Sequence, residues 1–349
     1  MSLRAATEAA IAGREVGARE LEAAFGEIRD GAAPPAAIAA LLVALRTKGE
    51  TYGEIAAAAR ALRARAATAP AVDPRTVDTC GTGGDGANTF NISTTAAFVV
   101  AGAGVPVAKH GNRAASSQSG SFDVLEALGV RIDLPIEACG EILAGIGIAP
   151  FFARTAHPAM RHVAAVRREL GLRTIMNCLG PLLNPVAARH QLVGVYDAAL
   201  IEPLARALGE LGARRALVVH GNDGLDELTT TTTSEAALLS GGQLERWTLD
   251  PETLGLPRAT LSELAGGDAA HNAAILNAIL EGETGARRDI VVLNAGAALW
   301  VAGAAADLAQ GVAAASESVA SGAAREKLAA LVRATNEHEA PARPVSETA

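Results

Sequence analysis

Aromatic side chains are scarce in this sequence: two Trp, two Tyr and six Phe among 349 residues. Half of the residues are apolar, much of that alanine, so the helices must pack closely through small side chains rather than around large anchors. Cysteine is scarce too. Cys80, Cys139 and Cys178 are scattered and form no CxxC pair, which argues against a disulfide framework or a cysteine zinc site and fits reduced cytosolic thiols. Cys80 reads as a small core residue at a strand end. Charged residues make up only 19% and the formal net charge is −8, which argues against a broad electropositive face for nucleic acid but leaves room for a local basic pocket. Long clean apolar runs are missing as well: Ala96–Ala108 is short, and Ile290–Ala306 is interrupted by Asn294. The first residues mix charges and show no apolar signal core. A cytoplasmic protein with no nucleic-acid and no membrane partner is the resulting expectation.

Residues 1–70 read as helices only, with breaks at Asp30-Gly31 and Pro34-Pro35 and a further helix from about Thr51 to Arg65. A hinge is expected at 68–78, where two prolines precede the first β-like run. From Thr76 the chain alternates short β-like runs with helices: TVDTC, VPVAKH, VRIDL, LVGVY, ALVVH and DIVVLN. The fold class expected is α/β: a small N-terminal all-helical domain, joined by helices from about 157–185, and a larger domain over 71–335 with a mainly parallel sheet covered by helices. The polar segment 336–349 is expected to be disordered.

GTGGDG (Gly81–Gly86) matches the dinucleotide fingerprint G-x-G-x-x-G, but its surroundings fail two further demands. The helix starts late, at Ser93-Thr94-Thr95, and the next strand ends in Lys109-His110 where an acid is needed for ribose hydroxyls. Glycine-loop N–H groups, the hydroxyls of Thr89, Ser93 and Thr94, a helix N-terminus and Lys109 all favour an anion instead. A second loop, GNRAASSQSGS (Gly111–Ser121), leads into a second helix with Asn112, Arg113, Ser117 and Ser121. Two anion-receptive helix starts flanking one lysine suggest a ligand with more than one phosphate. No Walker motif is present, which disfavours a P-loop nucleotide hydrolase.

After ALVVH come Asp223, Asp226 and Glu227, near the same sheet edge. Beside a polyphosphate, one or two carboxylates suffice to hold Mg²⁺. On the helix opened by Pro158 and stopped by Gly171, Met160, Val163, Val166 and Leu170 form one stripe, and Arg167 falls inside it. An arginine on that side calls for a fixed anion, either an acidic side chain of the protein or a carboxylate ligand. His110, His157, His162 and His220 lie in or beside these features; none is assigned as a catalytic base.

GTGGDGANTFNIST, VAKHGNRAASSQSGSFDVLEALG, HPAMRHVAAVRRELG, NCLGPLLNP and GLDELTTTTTS, in this order, resemble the anthranilate phosphoribosyltransferase family of tryptophan biosynthesis over nearly the whole chain. The resemblance implies transfer of phosphoribose from phosphoribosyl pyrophosphate (PRPP) to the amine of anthranilate, two Mg²⁺ ions bound with the donor, and a homodimer formed through the helical domain. It further implies PRPP contacts from Gly81, Gly84, Asp85, Thr89, Asn91, Ser93, Thr94, Lys109, Gly111, Asn112, Arg113, Ser117 and Ser121. Mg²⁺ contacts from Ser93, Asp226 and Glu227, and anthranilate contacts from Gly81, Asn112 and Arg167, are implied in the same way. Ala156, Met176 and Leu183 depart from residues frequent in the family. A pyrimidine nucleoside phosphorylase-like enzyme and a non-catalytic nucleic-acid-binding relative are the alternatives; the Asp226–Glu227 pair and the net negative charge disfavour them.

Overall fold

A computed structural model describes residues 2–114 and 118–338. Four helices come first: α1 (Ser2–Ile11), α2 (Ala18–Arg29), α3 (Pro35–Lys48) and α4 (Tyr52–Arg63). The chain then runs through β1 (Val77–Gly81), α5 (Ile92–Gly102), β2 (Val107–Gly111), α6 (Ser121–Ala127), α7 (Ile136–Ile146), β3 (Ile148–Phe152) and α8 (Ala153–Ala156). Next are α9 (Arg161–Leu170), α10 (Ile175–Leu179), β4 (His190–Gly194), α11 (Ile201–Glu210), β5 (Arg215–Gly221), β6 (Ser234–Ser240) and β7 (Gln243–Leu249). Four helices follow: α12 (Ala269–Leu280), α13 (Ala286–Val301), α14 (Leu308–Ala320) and α15 (Ala323–Glu337). No helix among the described residues is long and apolar enough to cross a membrane.

Small side chains determine how the first helices pack. In α4 the run Ile55-Ala56-Ala57-Ala58-Ala59 is buried on every face, with α2 on one side and α10 and α11 on others. Its N-terminus is fixed by a reciprocal cap: Thr51 Oγ1 accepts from Glu54 N–H, and Glu54 Oε2 accepts from Thr51 N–H. The buried Glu54 carboxylate is satisfied further by Lys48 Nζ at 2.9 Å and Val16 N–H at 2.8 Å. α9 and α10 return from the sheet to pack on α3, joining the same apolar cluster as α1–α4.

The sheet has seven strands in the order β3-β2-β1-β4-β5-β6-β7. The pairs from β3 to β5 are parallel, and β6 and β7 add an antiparallel hairpin at one edge. The β-like runs TVDTC, VPVAKH, LVGVY and ALVVH fall on β1, β2, β4 and β5. Two others do not form strands. VRIDL is extended, with Val130, Ile132 and Leu134 buried, but it pairs with α15 instead: Arg131 N–H donates to Thr335 Oγ1 at 3.2 Å. DIVVLN is helical, the centre of α13. A helix buried all round loses its amphipathic signature, and its β-branched run imitates a strand. β3, β6 and β7 were not anticipated. α15 extends to Glu337, two residues into the segment expected to be disordered; 339–349 lie outside the described residues.

Asn294, the residue that interrupts the apolar run of α13, is fully buried. Its Oδ1 accepts from Leu228 N–H at 3.1 Å, while Nδ2 donates to Leu228 O at 2.8 Å and Ile290 O at 2.9 Å. It therefore ties the centre of the helical layer to the residue after Glu227. Asn294→Ala strands both main-chain groups of Leu228 and should lower unfolding stability by about 2–4 kcal/mol in urea titrations; a loss under about 0.5 kcal/mol would show that water or another group replaces the amide.

Candidate active site

β1, β2, β4 and β5 end at one edge of the sheet, and the loops that follow them meet there. After β1 the chain turns through Gly83, Gly84 and Gly86, all at positive φ. This loop is stitched on both flanks. Thr82 N–H donates to Gly194 O at 2.9 Å and Tyr196 N–H to Thr82 Oγ1 at 3.1 Å; Phe90 N–H donates to Leu264 O at 3.2 Å and Gly266 N–H to Asn88 O at 2.9 Å. The loop after β2 is closed by Asp123 of α6, whose Oδ2 accepts from Ala114 N–H at 2.8 Å and Gly120 N–H at 2.9 Å.

The acidic loop after β5 reaches into the first of these loops. Asp223 is consumed locally, accepting from Thr229 Oγ1, Thr231 Oγ1 and Leu225 N–H. Asp226 lies against two strand ends, where a Cβ on Gly81 would overlap its carboxylate and one on Gly194 its main-chain oxygen. Asp226 Oδ2 accepts from Gly83 N–H at 2.7 Å. Glu227 Oε1 accepts from Ser93 N–H at 3.1 Å, in the first turn of α5, where the helix dipole favours an anion. Anion-seeking groups of the glycine loop and of α5 are thus already directed at the protein's own carboxylates.

Burial raises the pKa of both acids; Asp85 and Glu227 raise that of Asp226 further, and Asp85 does the same to Glu227. The ammonium of Lys109 and the Gly83 and Ser93 N–H groups act in the opposite direction. Lys109 offsets only Glu227 of these acids, and a cluster with so little counter-charge is the environment a divalent cation requires. No group of three or more His, Cys, Asp or Glu side chains forms a complete cage among the described residues. The donor set fits Mg²⁺ held jointly by one or two carboxylates and ligand phosphates.

The structure brings Gly81, Gly84, Asp85, Thr89, Asn91 and Ser93 together along the first loop and the start of α5, and Gly111, Asn112, Arg113 and Ser121 around the second. Two of the expected anion contacts, Lys109 and Arg113, are engaged elsewhere, and a third, Thr94, is buried. Lys109 is buried, its ammonium donating to Thr79 O. Thr94 is buried, its hydroxyl unpartnered in a small cavity shared with Lys109 and Phe98. Arg113 pairs with Glu126 Oε1 at 2.9 Å. Ser117 lies outside the described residues.

Arg167 is half-buried on α9, between Met160 and the buried Val163 around the helix, and desolvation lowers its pKa. Among the described residues its guanidinium has no hydrogen bond and no ion pair, so an internal acid does not fill the need its helical position created. His110 and His157 meet edge to face, ring centroids 5.7 Å apart, and both are buried. Burial and the neighbouring His157 lower His110 to about 3, too weak a base for proton abstraction near neutrality. His157 Nε2 lies 2.6 Å from Leu183 O, and His220 Nδ1 lies 2.7 Å from Val195 O.

Sequence reasoning missed two groups that shape the site. Arg173, just after α9, donates to Gly84 O and stacks over Tyr196 at 4.2 Å, tying the glycine loop to the segment that carries Arg167. Asn272, on α12, contacts Asn91 from outside the sheet. No local motif marks either; both act through residues far away in sequence.

Comparison with known proteins matches residues 4–66 to the helical bundle domain of the glycosyl transferase family and residues 73–325 to its a/b domain. An anthranilate phosphoribosyltransferase from Moorella thermoacetica is 54% identical over 330 residues, covering 95% of this chain and 97% of that protein. The crystal structure of the Thermus thermophilus enzyme of that name superposes with a TM-score of 0.90 at 45% identity, over 95% of this chain and 99% of the other. The Saccharomyces cerevisiae enzyme in complex with PRPP and Mg superposes with a TM-score of 0.87 at 26% identity, over 96% and 98% of the two chains. The same yeast protein in complex with 4-fluoroanthranilate gives 0.86 at 25% identity, over 96% and 98%.

The crowded acids make stability depend on pH. The folded pKa of Asp226 lies above its unfolded value of about 3.9. Its unfavourable contribution is therefore absent below the unfolded pKa and grows as pH rises through the folded one. Without divalent cations, Asp226→Asn should melt about 2 °C above the wild type at pH 8, and the gap should narrow as pH falls and close near the unfolded pKa, about pH 4. Calorimetry showing the variant less stable at pH 8 would contradict this account of the acids.

Proposed function

This chain belongs to the anthranilate phosphoribosyltransferase family, a member of the glycosyl transferases, and on that premise we propose how its own residues carry the reaction. The enzyme transfers the phosphoribosyl group of PRPP to the amine of anthranilate. The bond from C1 of the ribose to pyrophosphate oxygen breaks with its electron pair leaving on pyrophosphate. The anthranilate nitrogen forms the new bond to C1, inverting it, and releases a proton.

In this reading the loop from Gly81 through Ser93 cradles the pyrophosphate, with Gly84, Asp85, Thr89, Asn91 and Thr94 among the contacts. The second loop, with Gly111, Asn112, Arg113, Ser117 and Ser121, holds the phosphoribosyl end. Lys109 joins the set by turning its ammonium from Thr79 O to the donor. Ser93, Asp226 and Glu227 would hold two Mg²⁺ ions together with the donor. Bound Mg²⁺ neutralises charge that accumulates on the leaving group. The glycine-loop N–H groups supply preorganised donors for the same charge, released from the acids when those turn to the metal. An arylamine is uncharged at neutral pH, so attack requires no strong base, in keeping with the low basicity of His110.

The acceptor half rests on Arg167. A half-buried guanidinium on an apolar stripe with no anionic partner is suited to the anthranilate carboxylate, which it can grip bidentately while Gly81 and Asn112 complete the pocket. Residues 1–70 and about 157–185 act as one helical domain against the 71–335 domain, with 68–78 as the hinge that closes the cleft. A homodimer through the helical domain is supported by exposed Ile11 and Val43 on α1 and α3. Three free, buried cysteines suit a cytoplasmic enzyme of tryptophan biosynthesis.

Anthranilate fluorescence should fall when PRPP and Mg²⁺ are added to the protein and persist when either is omitted. No loss at any enzyme concentration would reject the reading. Arg167→Ala should raise the anthranilate KM about 10–100-fold while changing the PRPP KM less than about threefold; equal effects on both would remove Arg167 from the acceptor site.

A further inference from the structure

Asn91, the residue before α5, carries an amide whose two ends differ: an oxygen that repels phosphate and a nitrogen that donates to it. Which end faces the cleft is decided from outside the loop. The main-chain N–H of Gly267 can only donate, and it donates to Asn272 Oδ1 at 2.8 Å. The Asn272 oxygen is thereby committed, leaving Nδ2 to donate to Asn91 Oδ1 at 2.9 Å. The Asn91 oxygen is committed in turn. Its Nδ2 stands on the opposite side, with one hydrogen toward Ser119 O at 3.4 Å and a second hydrogen unspent.

The frame that carries this relay is rigid. Asn272 is 2% exposed, in the first turn of α12, a helix capped by Asp268 accepting from His271 N–H at 2.8 Å. Residues 264–266 are bonded to the loop itself through Phe90 N–H and Asn88 O. Asn272 also lines a small cavity with Asn88, Thr89, Gln118, Ser119 and Gly267, at the junction of the two loops.

We infer that Asn272 is a positioning residue for donor binding: it fixes the amide polarity of Asn91 so that N–H, not C=O, faces the phosphoribosyl pyrophosphate. The inference rests on the reading that Asn91 contacts the donor. An amide free to turn would spend part of its time presenting oxygen to an anion, and a relay that forced the turn would make this permanent.

Asn272→Asp keeps the shape and the Gly267 bond but, when ionised, offers Asn91 an acceptor where it had a donor. Asn91 must then turn its nitrogen outward and its oxygen into the cleft. In steady-state kinetics at pH 8, the KM for PRPP should rise about tenfold or more, while the KM for anthranilate at saturating PRPP changes less than about twofold. Lowering the pH protonates the introduced carboxyl, restores a donor toward Asn91, and should bring the ratio of variant to wild-type KM down. Asn91→Ala should raise the PRPP KM by itself, and Asn272→Asp should add little in that background. Should Asn272→Asp fail to fold, Asn272→Ala provides the same comparison, with a rise of about threefold that vanishes in the Asn91→Ala background. A wild-type PRPP KM in Asn91→Ala would mean that Asn91 does not contact the donor. If Asn91→Ala is impaired, an unaffected Asn272 variant, or one equally impaired with and without Asn91, would overturn the relay.

Discussion

Asp226 can approach the glycine loop only because two neighbouring parallel strands end in glycine. β1 and β4 pair in register up to Gly81 and Gly194, and a methyl group at either position would overlap Asp226. The acidic loop after β5 thus enters the sheet edge from above, and everything else at the site is arranged around it. Gly83 N–H fixes Asp226, Ser93 N–H fixes Glu227, and Asn294 holds Leu228 from the helical layer beneath. Close backbone approach is the physical condition; the chemistry follows from it.

Charge is the second constraint. Asp85, Asp226 and Glu227 crowd together, and the buried Lys109 is the counter-charge of Glu227 and of Asp78. Backbone N–H groups of the glycine loop and α5 hold the Asp226 and Glu227 carboxylates. In the proposed reaction the same N–H groups would pass from the acids to the pyrophosphate, which would couple metal binding to donor binding.

Much of this organisation can be read locally. The glycine loop, the delayed start of α5, Lys109 at the end of β2 and the acids after β5 announce an anion site because each depends on residue type and short-range spacing. The stripe of α9 marked Arg167 in the same way, since helical periodicity fixes which side a residue shares. What remained hidden depends on distant partners. VRIDL carries strand-like alternation, yet its backbone N–H groups bond Leu125 O in the turn after α6 and the Thr335 hydroxyl of α15 rather than another strand. DIVVLN carries strand-like composition, yet burial on all sides allows it to be a helix. Lys109 and Arg113 have the right charge, but only tertiary packing decides that Thr79 O and Glu126 engage them here.

By itself, the sequence determined the class of fold, the order of the glycine- and serine-rich loops and the side chains available at the sheet edge. Those properties follow from composition, period and the short reach of turns and caps. Only the tertiary structure decided that Gly81 and Gly194 make room for Asp226, that Arg173 stacks on Tyr196 above the loop, and that Asn272 sets the amide of Asn91. Each of these joins residues at least 23 positions apart, and no local rule of propensity reaches that far, because contact between them exists only once the core has placed their elements side by side.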